Sequence, residues 1–396
     1  MDNLNILIVG AGIAGLSFAR ACEQQGLKVT LIEKTGNSPG AGAGICLPAN
    51  AMIAFQHLGI DQEILKVAHQ VNSIEYVREN GKTLSASSLR KKPFNKAPFV
   101  ALPRQNLIKI LRKGLKAKIV FDTNIEKYEQ IDDRVKVLLN HSIRSKFYDL
   151  VVGADGISSP LRNKVFNSTG NEDLGITTWR FNIDVDTSNI QPIYYLGNDS
   201  LLMFYPISSS QIYVYAHVID QNNEYSNLEP HEIVPEIFSG YCDDAKTMLS
   251  KINDETAIYS GRLSTVSELY FSQGRTVFIG DALHGCPPSL QQGTAMAVED
   301  AIVLTNSLMK YSVPNAIDAF TLLREDRTKW VVSESNNIIQ RAIRGNSILG
   351  CLIRNSFIRF KGPANIMAWK QLLNEDPFDE LDLTLPGSNS ILKATA

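Results

Sequence analysis

The sequence predicts an α/β fold in which a Rossmann-like nucleotide-binding domain carries an inserted antiparallel-sheet domain and ends in C-terminal helices. Three observations predict it. Asn5-Ile-Leu-Ile-Val-Gly10, a helical pattern over 12–25 and Lys28-Val-Thr-Leu-Ile-Glu33 form strand, helix and a second strand stopping on an acid, which is how a βαβ unit begins. From Trp179 to His217 the pattern becomes alternating aromatic and β-branched residues, among them Tyr194, Tyr195, Phe204, Tyr205, Tyr213 and Tyr215, as in an antiparallel sheet facing a pocket. Residues 299–310 and 315–339 then carry long helical periodicity.

The remaining elements follow in order. A glycine-rich loop spans 36–44, and 49–58 is helical in pattern. Residues 73–78 and 82–86, joined at Gly81, form a hairpin suited to a different sheet from the first two strands. A helix is expected at 104–115, then short strands around Lys118, Val135 and Ile143 as a small antiparallel meander, before a buried strand returns at Tyr148-Asp-Leu-Val-Val-Gly153. Helical structure is expected within 230–249. Thr276 to Ile279 is a short strand, Gly280 permits a sharp turn, and Pro287-Pro288 keeps the chain extended until a helix begins near Gly293. The last segment, 341–373, mixes apolar residues with Arg341, Arg344, Arg354, Arg359, Lys361 and Lys370. It reads as a helical tail packed on the body with a solvated basic face, and a peripheral membrane contact is the weaker alternative. The division implied is 1–72, 97–172 and 265–340 for the nucleotide-binding domain, 73–96 and 173–264 for the inserted domain, and 341–396 for the tail.

With 396 residues and 44% apolar content the chain can bury a large core, and a net charge of -2 argues against a general nucleic-acid surface. A small molecule is the expected partner, and either a monomer or a homodimer fits. Cys22, Cys46, Cys242, Cys286 and Cys351 are scattered without metal-ligand spacing, so neither disulfides nor a metal site is expected and a cytoplasmic setting fits. No basic n-region precedes the first strand, and no apolar run reaches the roughly 20 residues of a spanning helix.

Three motifs carry chemistry. In Gly10-Ala11-Gly12-Ile-Ala14-Gly15, Gly10 permits a tight turn, Gly12 lets backbone approach a pyrophosphate, and Gly15 lets helix and strand pack closely. Glu33 is placed to accept from ribose hydroxyls and disfavours a 2′-phosphate, which points to FAD or NAD rather than NADP. Asp155-Gly-Ile-Ser-Ser159-Pro-Leu-Arg162, read alone, is a polar turn with Asp155 or Ser159 as helix cap. Gly280-Asp281 with Gln291-Gln292-Gly293 offers a carboxylate at a strand end and then the free N–H groups of a helix start, suited to an electron-rich ring edge.

Together, Gly10/Gly12/Gly15/Glu33, Asp155-Gly156 with Arg162, and Gly280-Asp281 with Pro288 and Gln292-Gly293 resemble the single-component FAD-dependent aromatic hydroxylases, the para-hydroxybenzoate hydroxylase family, in the family's order and over almost the whole chain. Gly42-Ala-Gly-Ile45, Thr178-Trp-Arg180, Tyr213-Val-Tyr-Ala216 and Leu352-Ile-Arg-Asn355 look similar to its salicylate- and urate-hydroxylase-like branch, and especially to alkylquinolone monooxygenases. The resemblance implies FAD as cofactor, NADH or NADPH as transient reductant, and O₂ as co-substrate. It implies hydroxylation of an aromatic or heteroaromatic molecule through a flavin C4a-hydroperoxide. The implied cofactor contacts are Gly10, Ala11, Gly12, Ala14, Gly15, Glu33, Lys34, Arg104, Ile125, Asp155, Asp281, Gly293 and Thr294. Among them Arg104 would meet the pyrophosphate or ribityl region, backbone near Ile125 the adenine, Asp281 the ribityl chain, and the Gly293 and Thr294 backbone the pyrimidine edge.

No catalytic residue is assigned by the resemblance; His217, as a base, and Arg180 and Pro288 are weak candidates, and His284 suits an orienting hydrogen bond. The family pattern is departed from twice. Asn37-Ser38-Pro39 lacks an arginine that members often carry, and Gln291 replaces a glycine, so its side chain narrows the space near the ring or forces a different loop. The competing readings are antibiotic-inactivating oxygenation or polyprenyl reduction on the same scaffold, and a non-enzymatic nucleotide-binding protein. Halogenation would call for a Trp-x-Trp-x-Ile-Pro segment, which the isolated Trp179, Trp330 and Trp369 do not form.

Overall fold

Two apolar four-residue runs, Ile6–Val9 and Leu150–Gly153, are buried throughout and pair in parallel at the centre of a six-stranded sheet. The computed structural model describes residues 4–37, 43–167, 170–375 and 377–378. Strand order in this sheet is Ser272–Gln273, Thr276–Phe278, Leu150–Gly153, Ile6–Val9, Val29–Ile32 and Lys118–Val120. All neighbours are parallel except the short edge strand Ser272–Gln273. Buried on both faces, such strands read as continuous apolar runs rather than alternating ones. Helices Ile13–Gln24 and Gly293–Lys310 pack against each other over the strand ends.

The strand at Lys118 corrects the expected meander. Lys118–Val120 pairs with Val29–Ile32 in the main sheet, whereas the meander consists of Ile125–Ile131, Arg134–Leu139 and Lys146–Tyr148, and Ile143 lies fully exposed between strands. Three residues carry too little periodicity to choose a partner. Asp122, with φ at 51°, turns the chain out of the main sheet directly after this strand.

A second sheet of seven strands runs Tyr259–Val266, Asn171–Asp184, Gln211–Ile219, Ser200–Pro206, Ile193–Leu196, Ser73–Arg78 and Thr83–Ser88. The hairpin 73–88 thus joins the aromatic strands. Its seam, Ile193–Leu196 against Ser73–Arg78, is the one parallel pair in an otherwise antiparallel sheet. Alternation divides the side chains cleanly. Trp179, Phe181, Phe204, Val214 and Ala216 pack with helices Pro230–Ile237 and Asp243–Leu249, while Tyr76, Tyr194, Met203, Tyr205, Tyr213 and Tyr215 form a separate cluster on the other face. That cluster also takes in Cys46, Phe99 and Ala101 from a small sheet of Gly44–Leu47, Phe99–Pro103 and His69–Val71. Gly44 is required there, because an added Cβ would lie 2.4 Å from Tyr213.

The chain closes with helices Val313–Arg344, Ile348–Lys361 and Ala364–Asn374. The basic residues do face solvent as expected, with Arg341, Arg344, Arg359, Lys361 and Lys370 exposed and Arg354 half-buried, but they are not alone there. Helix Ile348–Lys361 buries only Cys351, Asn355 and Ile358, and its exposed side includes Leu349, Leu352, Ile353, Phe357 and Phe360. Periodicity showed an amphipathic helix; it carried no information about which face turns inward.

Candidate cofactor and substrate site

At the carboxyl ends of the central strands lies a cavity of about 450 Å³. It is lined by Gly10, Gly12, Glu33, Lys34, Ile125, Asp155 and Gly156, together with Thr123, Asn124 and Lys164. The crevice beyond strand ends is where open parallel sheets bind ligands. The three glycines of the first motif have different reasons for being there. An added Cβ on Gly10 would lie 2.3 Å from the Ala154 carbonyl oxygen, and one on Gly15 2.0 Å from the Gly10 carbonyl oxygen. Gly12 would meet no protein atom within 4 Å. Chain packing therefore demands Gly10 and Gly15, while Gly12 keeps open the space in front of the helix that starts at Ile13.

That helix has no side-chain cap and no acidic residue in its first turn, so its leading N–H groups face the cavity mouth as an anion site. Glu33 stands beside it. Its Oε2 accepts from the Ala11 N–H at 2.8 Å and its Oε1 from the Thr35 N–H at 3.0 Å. Burial raises the Glu33 carboxyl, but those hydrogen bonds outweigh it and hold the pKa below its ordinary value. Oε1 also accepts from the Thr35 hydroxyl at 2.9 Å, so it is Oε2 that keeps a lone pair for a further donor. Asp155 caps the next turn through the Leu161 N–H at 3.0 Å, while its Oδ1 is buried without a partner; burial pushes this carboxyl up. An orphaned acceptor on the cavity wall fits a ligand rich in hydroxyls.

The third motif meets the first directly. Gly280, at φ 61°, turns the chain so closely over the fingerprint helix that its added Cβ would lie 2.6 Å from the Ala14 Cβ. Asp281 follows, exposed, and the same construction on Gly293 would come within 3.5 Å of its Oδ1. Helix Gly293–Lys310 starts there without a side-chain cap or an acid in its first turn, leaving the Gly293 and Thr294 N–H groups free of intrahelical partners. Arg104 opens helix Arg104–Arg112, and burial lowers its pKa, opposed by the nearby Asp281 carboxylate and reinforced by Arg180. The residues proposed from sequence thus fall into two groups: the cavity set, and Arg104, Asp281, Gly293 and Thr294 around the turn that packs on Ala14 in the first turn of the fingerprint helix. The Ser38-Pro39 position lies outside the described residues.

What holds the Gly280 turn was not legible in the sequence. Asp300 Oδ2 accepts from the Gly280 N–H at 2.9 Å and contacts His284 Nε2 at 2.8 Å, and Asp300 Oδ1 accepts from Arg324 Nε at 2.8 Å. Arg324 also reaches Glu299 at 2.8 Å, and Arg327 pairs with the same carboxylate. Burial would raise both acids, but the cations facing them hold them ionised. His284 is therefore an orienting residue below the turn. Arg162 has a similar duty: it donates to the Ala282 and Ile157 carbonyls at 2.6 Å each, tying the second motif to the third.

The tyrosine face lies next to this cradle. Gln291 Nε2 donates to Tyr194 Oη at 2.9 Å, Tyr194 stacks on Tyr76 at 4.7 Å between ring centres, and its hydroxyl is 3.3 Å from that of Tyr205. Helix Ala364–Asn374 closes the wall, with Asn365 bonded to Tyr76 Oη and Trp369 Nε1 donating to the Leu290 carbonyl at 2.7 Å. These two contacts come from 79 or more residues away, and no local pattern announced them. Burial raises all of these tyrosines, so they stay protonated and act as neutral hydrogen-bonding groups. Arg180 registers opposite Tyr215 and is exposed. His217, whose Nδ1 lies 3.1 Å from Tyr215 Oη, is pushed down to about 4 by burial and is a weak base. Pro288 is exposed at the start of the turn Pro288–Leu290 and offers no titratable group.

A parallel sheet with a dinucleotide cavity, joined through a second helix cradle to an aromatic sheet, is the architecture of an FAD-dependent monooxygenase. The chain belongs to the FAD binding domain family, whose model matches residues 3–333, and FAD is its cofactor. That membership bears out the resemblance drawn from the three motifs. Among its relatives are the 2-heptyl-3-hydroxy-4(1H)-quinolone synthase of Pseudomonas aeruginosa, 28% identical over 90% of this chain and 94% of that one. The aurachin C monooxygenase/isomerase of Stigmatella aurantiaca is 26% identical over 90% and 94%. A salicylate hydroxylase substrate complex shares the fold, with a TM-score of 0.78, 20% identity and coverage of 97% and 100%.

Proposed function

We propose that the protein uses NADH or NADPH and O₂ to hydroxylate an aromatic or heteroaromatic small molecule held between the tyrosine face and the Gly293 cradle. The observation that carries this reading is the face itself: Tyr76, Tyr194, Tyr205, Tyr213 and Tyr215 come from alternate positions of one sheet and stand beside the loop that precedes Gly293. Its apolar surface and few hydroxyls suit a flat ring with one or two polar substituents. The quinolone named in one relative is such a ring. When bound, FAD supplies the electron transfer from the reductant and the activation of O₂.

The chain's own residues bind, orient and exclude water. In this reading the N–H groups from Gly12 to Gly15, with Ala11 and Ala14 packed beneath, take the pyrophosphate, Glu33 and Lys34 the adenosine half, and the Ile125 backbone the adenine. Asp155 and Asp281 accept from hydroxyls, and Arg104, near Asp281, balances phosphate charge. The Gly293 and Thr294 N–H groups stabilise negative charge at the ring edge. With His217 near 4 and the tyrosines raised, no group on this face is tuned as a base at neutral pH, so the substrate must bring its own electron-rich ring. The test is direct. Purified protein should be yellow, and a true substrate should accelerate NAD(P)H oxidation and gain one oxygen by mass. Protein that cannot be loaded with FAD, or turnover that no phenol or quinolone stimulates, would refute the reading.

A further inference from the structure

Helix Ile348–Lys361 turns its apolar side chains away from the protein. Its buried stripe, Cys351, Asn355 and Ile358, is one residue wide and packs beside the edge strand Thr83–Ser88. At about 100° per residue, the direction opposite that stripe is occupied by Leu349, Ile353 and Phe360, which are 68%, 63% and 82% exposed. Leu352 and Phe357 widen the strip on either side. A helix on a protein surface ordinarily shows the reverse arrangement, and a contiguous apolar strip of this kind marks an interaction site.

The charges around the strip say what covers it. Between Glu334 and Glu375 the sequence has no carboxylate and six cations, Arg341, Arg344, Arg354, Arg359, Lys361 and Lys370, in a chain whose net charge is -2. On the same helical projection Arg359 flanks one side of the strip, and Arg354 and Lys361 flank the other. We propose that this helix lies flat in the interface of an anionic lipid bilayer, with Leu349, Ile353 and Phe360 among the acyl chains and the three cations at the headgroup phosphates. A second copy of this chain is disfavoured by the same charges. A two-fold contact sets the patch against itself, so like cations would meet with no carboxylate of the segment between them. The helix is 14 residues long, and among the described residues no helix is long and apolar enough to cross a membrane, so the contact is peripheral.

The experiment uses the FAD-loaded full chain and sucrose-loaded vesicles of phosphatidylcholine with increasing phosphatidylglycerol. The bound fraction in sedimentation should rise with phosphatidylglycerol and fall with salt. Arg354→Gln/Arg359→Gln/Lys361→Gln should weaken partitioning by about a hundredfold, at about 1 kcal/mol per cation. Ile353→Asp/Phe360→Asp should abolish sedimentation while leaving flavin absorbance and Tm unchanged, since both side chains are exposed. Failure of the unsubstituted protein to sediment with anionic vesicles at low salt overturns the proposal. So does sedimentation that neither set of substitutions reduces. A concentration-dependent dimer that Ile353→Asp/Phe360→Asp splits, without vesicle binding, assigns the face to self-association instead.

Discussion

Gly12→Ala separates what the ligand needs from what the fold needs. Gly12 has φ -77° and ψ -169°, a conformation open to alanine, and its added Cβ meets no protein atom within 4 Å. The apoprotein should therefore lose less than about 1 kcal/mol, the small cost of placing alanine at a helix N-cap. The same Cβ enters the space before the helix N-terminus, so FAD affinity should fall at least about tenfold, equivalent to roughly 1.4 kcal/mol. Gly10→Ala is the contrast. Its φ of 107° and the 2.3 Å approach to the Ala154 carbonyl combine backbone strain with overlap. Together these should cost about 2–5 kcal/mol of stability before any ligand is added. Urea unfolding of the apoproteins and FAD titration by fluorescence quenching give the two readouts. If Gly12→Ala bound FAD as tightly as the parent, or destabilised the apoprotein as much as Gly10→Ala, the assignment of the cavity to the pyrophosphate would be wrong.

Three further outcomes are expected. Asp281→Asn should weaken FAD retention about tenfold to a hundredfold, the loss of a hydrogen bond to a charged group, and unchanged retention on gel filtration would remove Asp281 from the site. Arg324→Met should cost about 3–5 kcal/mol in urea unfolding because Asp300 and Glu299 stay buried with fewer cations; a loss below about 1 kcal/mol would show that His284 and Arg327 suffice. His217, neutral and lowered to about 4 in the fold against 6.5 when free, contributes stability that is full above pH 6.5. That contribution falls as pH drops from 6.5 toward 4, because the unfolded chain binds the proton first, by up to about 3 kcal/mol. His217→Gln should flatten this acid limb, and an unchanged difference in stability between pH 7.5 and pH 4.5 would contradict the burial argument.

The parts of the fold that were legible in the sequence are those where one rule decides one structure. Ile6–Val9 and Leu150–Gly153 are unbroken apolar runs ending at glycine, and only a strand buried on both faces suits them. The tyrosine face was legible because Gln211–Ile219 is long enough for Tyr213 and Tyr215 to alternate visibly with Ile212 and Val214. Where two structures satisfy the same rule, the pattern did not choose between them. Lys118–Val120 is as good a meander strand as an edge of the main sheet. Helix Ile348–Lys361 is as amphipathic with its apolar side out as in. The pin under Gly280 was invisible for another reason: Asp300, His284 and Arg324 are separated by 16 and 24 residues, and only tertiary packing brings them together.

Gln291 shows how a departure from a family pattern is absorbed. A glycine there would be free to take a positive φ, and the glutamine takes it too, with φ 55° and ψ 32°. Left-handed backbone at such a residue costs about 1 kcal/mol or more. The hydrogen bond from Nε2 to Tyr194 offsets a similar amount. Beyond this left-handed residue the chain reaches Gly293 with the leading N–H groups of its helix free. The substitution is therefore felt on the other side. Its amide spans from the cradle to the tyrosine wall, and its Oε1 is left buried without a donor. The glutamine thereby adds a donor and a buried acceptor to the polar lining beside Tyr194 and Tyr205.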